Sequence, residues 1–207
     1  MGTQPARGDG TPKRLPADVR RQQLLDVAIG LFAARGFKAT TMDEIAEAAG
    51  VTKPLLYQHF ASKRALYLEL LDGVAQSLLE AIGKAVAAAA GPRQQVEGGF
   101  AAYFHLVATH ADAFTLLFGS DLPDDPELSR AVRHVEDMLA EAVDPLIDAG
   151  LDEDHRRLRA SAGVGRAVGA GRHLLDNGGA AGRAEADRAA QRLADLAWAG
   201  LRSVHRD

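Results

Sequence analysis

From Asp18 onward the residues predict an all-α protein, with an N-terminal three-helix head built around a helix-turn-helix and a larger helical C-terminal body. Three observations lead there. Apolar residues recur at i, i+3, i+4 and i+7 in one segment after another, the spacing of a half-buried helix. Ser, Thr or Asp opens several of these segments, and Gly or Pro closes them, which is how helix ends are marked. Composition agrees: 47 % of the 207 residues are hydrophobic but only 5 % are aromatic. The balance is carried by alanine and leucine, which favour packed helices over sheet.

Residues 1–17 read as a flexible arm of Gly, Pro and basic side chains. A first helix is expected from Asp18 to Arg35, with Leu25, Ala28, Ile29 and Phe32 as its core stripe and Gly36 closing it. Thr41-Met42-Asp43-Glu44 is a capping box, so a second helix starts at Met42 and buries Ile45, Ala46 and Ala49. Gly50 supplies the positive φ that ends it. Thr52 then caps a short third helix with Pro54 in its first turn, where a missing N–H costs nothing. Leu56 and Phe60, four apart, point inward, which leaves Lys53, Tyr57, Gln58 and His59 facing outward. A short helix gains no stability from four outward donors, so these residues point to nucleic acid. The turn from Ala49 to Thr52 has the length and the glycine of a helix-turn-helix.

These same residues resemble a family. Gly36-Phe37, Thr40-Thr41, Ile45-Ala46, Ala49-Gly50-Val51, Tyr57, His59-Phe60 and Ser62-Lys63 are similar to the DNA-binding domain of the tetracycline-repressor-like (TetR) transcriptional regulators, over roughly residues 20 to 70. The resemblance implies an N-terminal helix-turn-helix DNA-binding domain over residues 18–64 and an effector-binding and dimerisation domain over 65–207. It also implies that Lys53, Leu55 and Gln58 face base edges, and that Thr40, Tyr57, His59 and Lys63 bind phosphates, with Thr41 in the same DNA-binding set. The chemistry suits these roles. Lys and Gln bond purine edges in the major groove, and Leu offers apolar contact to a thymine methyl. Tyr, His and Lys at the two ends of a short helix can grip backbone oxygens.

Charge is consistent with this. The net charge is −4, yet the chain through Arg64 holds ten basic and six acidic residues, +4, leaving −8 to the remainder. A basic head on an acidic body suits a DNA-binding module attached to something else. The chain has no cysteine, which excludes disulfides, thiolate nucleophiles and cysteine zinc sites, and fits a cytoplasmic setting. No apolar run is long enough to span a bilayer, and the N-terminus lacks a secretory apolar region, so no membrane partner is expected.

In the body, Ser62 caps a long helix with Leu66, Leu70, Val74 and Leu78 inward, running to the alanines before Gly91-Pro92 and linking head to body rigidly. Val96, Phe100, Tyr103, Phe104 and Val107 form the next stripe, and a shorter piece follows around Phe114 to Phe118. Asp125 caps a further helix opened by Pro126, with Leu128, Val132, Val135, Leu139 and Leu146 on its core face. Two long helices finish the chain, about Glu153 to Leu175 and Ala184 to His205. The last repeats Ala189, Leu193, Leu196, Ala197, Gly200, Leu201 and Val204 at helical spacing.

Gly163-Val164-Gly165-Arg166-Ala167-Val168-Gly169-Ala170-Gly171 is a poor dinucleotide loop, since no strand precedes it and no acidic residue follows at the expected distance. Glycine inside a helix costs up to about 1 kcal/mol against alanine, and close helix approach is the simplest reason to accept that cost. The resemblance implies a homodimer through a four-helix bundle of the last two helices. Gly165, Gly169, Arg172, Leu193, Ala197, Gly200 and Leu201 are the expected interface. It also implies a cavity for an unidentified small-molecule effector. Phe100, Tyr103, Phe104, Val107, Phe118, Met138, Arg166, Gly169 and His173 are its candidate lining, with plain core as the competing role for the aromatic stripe.

The histidines of the body lack the spacing of a tetrahedral metal site, and no Ser-His-Asp set or carboxylate pair stands out. No catalytic residue, metal or cofactor is therefore expected. The reading is a dimeric, ligand-responsive regulator, a repressor released from a palindromic operator in double-stranded DNA. Its rivals are an activator, a ligand-independent regulator, and a helical enzyme or carrier with a vestigial DNA-binding head.

Overall fold

The structure, a computed structural model, describes residues 16–119, 125–144, 152–178 and 182–202. Most of the expected arm and Leu146 lie outside the described residues. The helices run α1 (Ala17–Ala39), α2 (Met42–Ala48), α3 (Lys53–His59), α4 (Lys63–Ala87), α5 (Pro92–Thr109), α6 (Ala111–Phe118), α7 (Pro126–Val143), α8 (Glu153–Gly178) and α9 (Arg183–Arg202). No strand occurs among the described residues.

Gly36, at φ 74°, breaks the helical path of α1, so its last residues turn towards α2. The buried line of α1 is Leu24, Ala28 and Phe32. Leu25 and Ile29 flank it, half-buried, so the core face is rotated one residue from the expected stripe. Thr41 forms the full capping box with Glu44, and Gly50 adopts φ 65°. Thr52 stands at the N-cap of α3 without a side-chain cap bond. Ser62 does cap α4, accepting from the Ala65 N–H at 3.1 Å. Asp125 caps α7 by accepting from the N–H groups of Glu127 and Leu128.

The first three helices share a core with the start of α4, where Leu66, Tyr67 and Leu70 are buried. Tyr67 joins head to body. Its ring meets Phe32 and Phe37 edge-on, centroids 5.0 Å away in each case, while its hydroxyl donates to the Leu116 carbonyl of α6 at 3.2 Å. Helix α6 also packs against α1. In the body, α4 packs on α5 and α7, and α9 lies along α5. Ala186, Ala190 and Ala194 form the buried line of α9, and their small side chains permit that close approach. Leu196, expected on the same core face, is instead 54 % exposed.

Burial pushes the Tyr67 phenol up to about 12 from an ordinary 10.0. Between those values the folded chain keeps a proton that the unfolded chain has lost, so stability falls as pH rises through that window. Tyr67→Phe should remove this residue's share of the alkaline loss. At neutral pH it should cost about 1 kcal/mol, the net value of the bond to Leu116. Thermal melts of both proteins at pH 7 and pH 11 check the two effects.

Candidate nucleic-acid interface and internal cavity

The α2–α3 turn is built from the backbone. Gly50 N–H donates to the Glu47 carbonyl at 3.0 Å, and Val51 N–H to the Ala46 carbonyl at 2.9 Å. These bonds satisfy the last carbonyls of α2 and send the chain directly into α3. Leu56 and Phe60 anchor α3 from below, at 0 % and 2 % exposure. Lys53, Tyr57 and Gln58 are exposed on its other side, with Leu55 and His59 half-buried at its margins. Arg21 of α1 fixes the far end of α3. Its guanidinium donates to the His59 carbonyl at 2.7 Å and to Glu69 at 2.8 Å, and lies 4.4 Å from the Phe60 ring centre. Nothing in the residue pattern signals this contact, because Arg21 and His59 are far apart in the chain.

Two of the expected phosphate binders are placed otherwise. Thr40 is fully buried and its hydroxyl donates to the Gly36 carbonyl at 2.8 Å, so this side chain closes the end of α1. The Lys63 ammonium is committed within the chain. It donates to the carbonyls of Phe37 at 2.6 Å and Thr40 at 2.7 Å, and sits 4.4 Å from the Phe37 ring centre. Lys63 thus serves the carbonyls that the Gly36 turn leaves open, a cost of helix ends that apolar patterning does not display. Lys63→Ala should lower stability by less than the roughly 1.5–3 kcal/mol of a buried hydrogen bond to a charged group, since Lys63 is only half-buried. A chemical denaturation midpoint measures it. Thr41 is exposed but occupied by its capping box.

Ion pairs surround this face. Lys53 Nζ lies 2.7 and 3.0 Å from the two carboxylate oxygens of Asp43, and that hydrogen bond and charge raise its pKa. Arg35 lies 2.7 Å from Glu44. Hydrogen bonds from Thr41 and the charge of Arg35 hold the Glu44 carboxyl below its ordinary range.

The body holds a cavity of about 450 Å³ that opens to the surface beside the exposed Leu158 and Leu196. Ile82 of α4 lines it, with Gln95, Val96, Gly99, Phe100 and Tyr103 of α5 and Leu139 and Val143 of α7. Helix α8 adds Leu158, Arg159, Ala160, Ala162, Gly163, Val164, Arg166 and Ala167, and α9 adds Leu196, Ala197 and Gly200. Phe100, Tyr103 and Arg166 of the expected lining are here. Phe104, Val107 and Phe118 are fully buried core instead, where α6 packs against α5. Met138 is half-buried against the core, and Gly169 and His173 are exposed on α8 away from the cavity. The Tyr103 hydroxyl lies 3.1 Å from where a Cβ on Gly171 would stand, and that same Cβ would come within 2.6 Å of the Phe114 ring. Gly171 is therefore the glycine of the run that a close approach within the chain requires.

Of the expected interface, Gly165 and Gly169 are exposed, and a Cβ on either meets nothing within 4 Å. Arg172 is exposed, and its guanidinium donates to the Phe118 carbonyl at the end of α6. Leu193 packs half-buried against the core, Ala197 and Gly200 line the cavity, and the side chain of Leu201 lies outside the described residues.

A helix-turn-helix with an exposed second helix, carried on a helical body with an apolar cavity, is the build of a DNA-binding transcriptional regulator. Residues 24–70 match the family described as bacterial regulatory proteins, tetR family. The HTH-type transcriptional activator FasR of Mycolicibacterium smegmatis is 35 % identical over 202 residues, covering 97 % of this chain and 91 % of that protein. A TetR-like transcriptional regulator from Rhodococcus sp. RHA1 superposes with a TM-score of 0.77 at 30 % identity, over 92 % of this chain and 100 % of the other. FadR from Bacillus subtilis, solved in complex with stearoyl-CoA, shares the fold with a TM-score of 0.75 at 16 % identity, over 89 % and 99 % of the two chains. The chain belongs to the TetR family of bacterial transcriptional regulators. No described helix is long and apolar enough to cross a membrane.

Proposed function

We propose that this protein is a cytoplasmic, homodimeric regulator that grips a palindromic operator with the α3 helices of two heads and releases it when a small molecule fills the body cavity. The observation that carries this is the course of α4. Its first turns are part of the head core through Leu66 and Tyr67, and its later turns reach the cavity at Ile82. A ligand that favours one position of α4 therefore acts on the helix that carries the head. It shifts DNA binding only by as much as its affinity differs between the two positions.

The walls are almost entirely aliphatic, aromatic or small, with Arg159 and Arg166 among them. An effector with an apolar body and an anionic or polar end fits that lining. FadR's stearoyl-CoA is a molecule of this kind, and long-chain acyl thioesters are the first compounds to try. On the DNA, Lys53, Leu55 and Gln58 read bases, while Tyr57 and His59 hold phosphates. For the second copy, Leu158 and Leu196 stand 68 % and 54 % exposed on α8 and α9, beside glycines with open space. The resemblance to regulators, none of them named as an enzyme, supports a non-catalytic role.

FasR is an activator, which favours a second reading, the same DNA and effector binding with the opposite transcriptional sign. One experiment tests both. Genomic fragments retained by the purified protein are sequenced, and their affinity is measured with and without acyl-CoA esters, free fatty acids and sterols. Release by any of them supports the switch. Unchanged affinity with every compound, despite measured binding in the cavity, defeats it. A reporter fused to the retained promoter gives the sign.

A further inference from the structure

We propose that Asp43 is a specificity-determining residue that masks the charge of Lys53 and so holds down binding to non-operator DNA. The proposal rests on the reading that α3 enters the major groove. Lys53 is the first residue of α3 and supplies that helix's lysine charge. In the free protein its ammonium is gripped by both oxygens of Asp43, at 2.7 and 3.0 Å, across the helix-turn-helix. Both side chains are more than half exposed, at 54 % and 65 %, so the pair stands on the DNA-facing surface and is not part of the core.

The consequence is electrostatic. Non-specific affinity comes almost wholly from cations that replace counterions on phosphates. A lysine already neutralised by a carboxylate contributes little to that term. Nearby cations are similarly engaged, Arg35 with Glu44 and Arg21 with Glu69. Only a partner that offers the ammonium a well-placed acceptor, such as a guanine edge at the right position, repays the loss of Asp43. Asp43 thus separates operator from bulk DNA by weakening the latter more, which is specificity by a repulsive element. Asp43 also lies in the first turn of α2, where its charge suits the helix N-terminus, so the same carboxylate is positioned by the fold.

The test uses full-length protein and fluorescein-labelled 30-base-pair duplexes, one of random sequence and one carrying a fragment retained by the wild type. Anisotropy is measured over a range of KCl concentrations. Asp43→Asn should bind the random duplex several-fold more tightly at low salt, with a salt slope steeper by about one phosphate contact. Operator affinity should change less, so the ratio between the duplexes falls. In a Lys53→Gln background the Asp43→Asn effect should vanish, because the mask then has nothing to cover. Equal gains in both backgrounds would show that Asp43 only repels DNA in general, and no gain in either would show that it masks nothing; each overturns the proposal. A matching thermal melt excludes misfolding, with Asp43→Ser as the second variant if Asn perturbs α2. Wild-type protein that binds neither duplex defeats the groove reading itself, an outcome separate from these.

Discussion

Gly169→Leu should convert a dimer into a monomer and lower operator affinity by about 10²–10³-fold. The glycine lies in the middle of α8, where it costs about 1 kcal/mol relative to alanine. Nothing in its own chain uses the missing side chain, since a Cβ there meets no atom within 4 Å. Leu158 on the same helix and Leu196 on α9 border the cavity and are also exposed at the surface, so they can meet a second chain at the cavity's rim. A second chain seated on this face would account for the open glycines and cover the exposed sides of both leucines. Leucine at 169 would then hold the two copies apart, and each head would bind its half-site without the effective concentration that linkage provides. Sedimentation velocity and operator titration read the two effects. Gly169→Ala separates the cases further. On a free surface it stabilises the chain by up to about 1 kcal/mol, whereas in a tight interface it weakens assembly. A Gly169→Leu protein that sediments as a dimer removes this face from the interface.

Gly99→Leu should abolish the effector response while leaving operator affinity of the free protein within about twofold. Gly99 lines the cavity from α5, and a Cβ there meets open space. A leucine side chain would project into the volume the effector needs, without displacing the core. Loss of response by tenfold or more is the expected outcome, since overpacking a filled site costs about 1–3 kcal/mol. Operator titrations with and without the releasing compound measure it. An unchanged response would place the effector elsewhere. Phe104→Ala is a poor substitute: Phe104 is fully buried outside the cavity lining, and truncating it costs about 3–5 kcal/mol of stability.

The head was more legible in the sequence than the body, for physical reasons. Capping boxes, positive-φ glycines and prolines in first turns are local, and each leaves its mark within four residues. That is why Thr41, Gly50, Pro54, Ser62 and Asp125 stand at helix ends as the sequence implies. The exposed side of α3 followed from the same local logic. The internal hydrogen bonds of Lys63 and Thr40 were not legible because their partners are carbonyls of the Gly36 turn, and a carbonyl carries no letter in the sequence. The rotation from Leu25 to Leu24 and the outward Leu196 have a different cause. A helix with apolar residues on a broad arc offers several faces, and only its neighbours choose among them. The cavity was the least visible feature. Its walls include Gly99, Ala160, Ala162, Gly163 and Ala197, residues whose periodicity signals packing but not the space left between packed helices.

Those walls bear on how such a regulator changes over generations. Where a site is bounded by bulky residues, a new effector demands that several shrink at once, each at a cost in stability. Here much of the boundary is already at the lower limit of side-chain size. Single nucleotide changes from glycine to alanine or valine would trim the site in small steps. None of these positions lies on α3, so under the proposed switch effector preference can drift while the operator remains the same. The same separation makes this chain a practical starting point for sensors, since a library confined to those small positions explores effector shape alone.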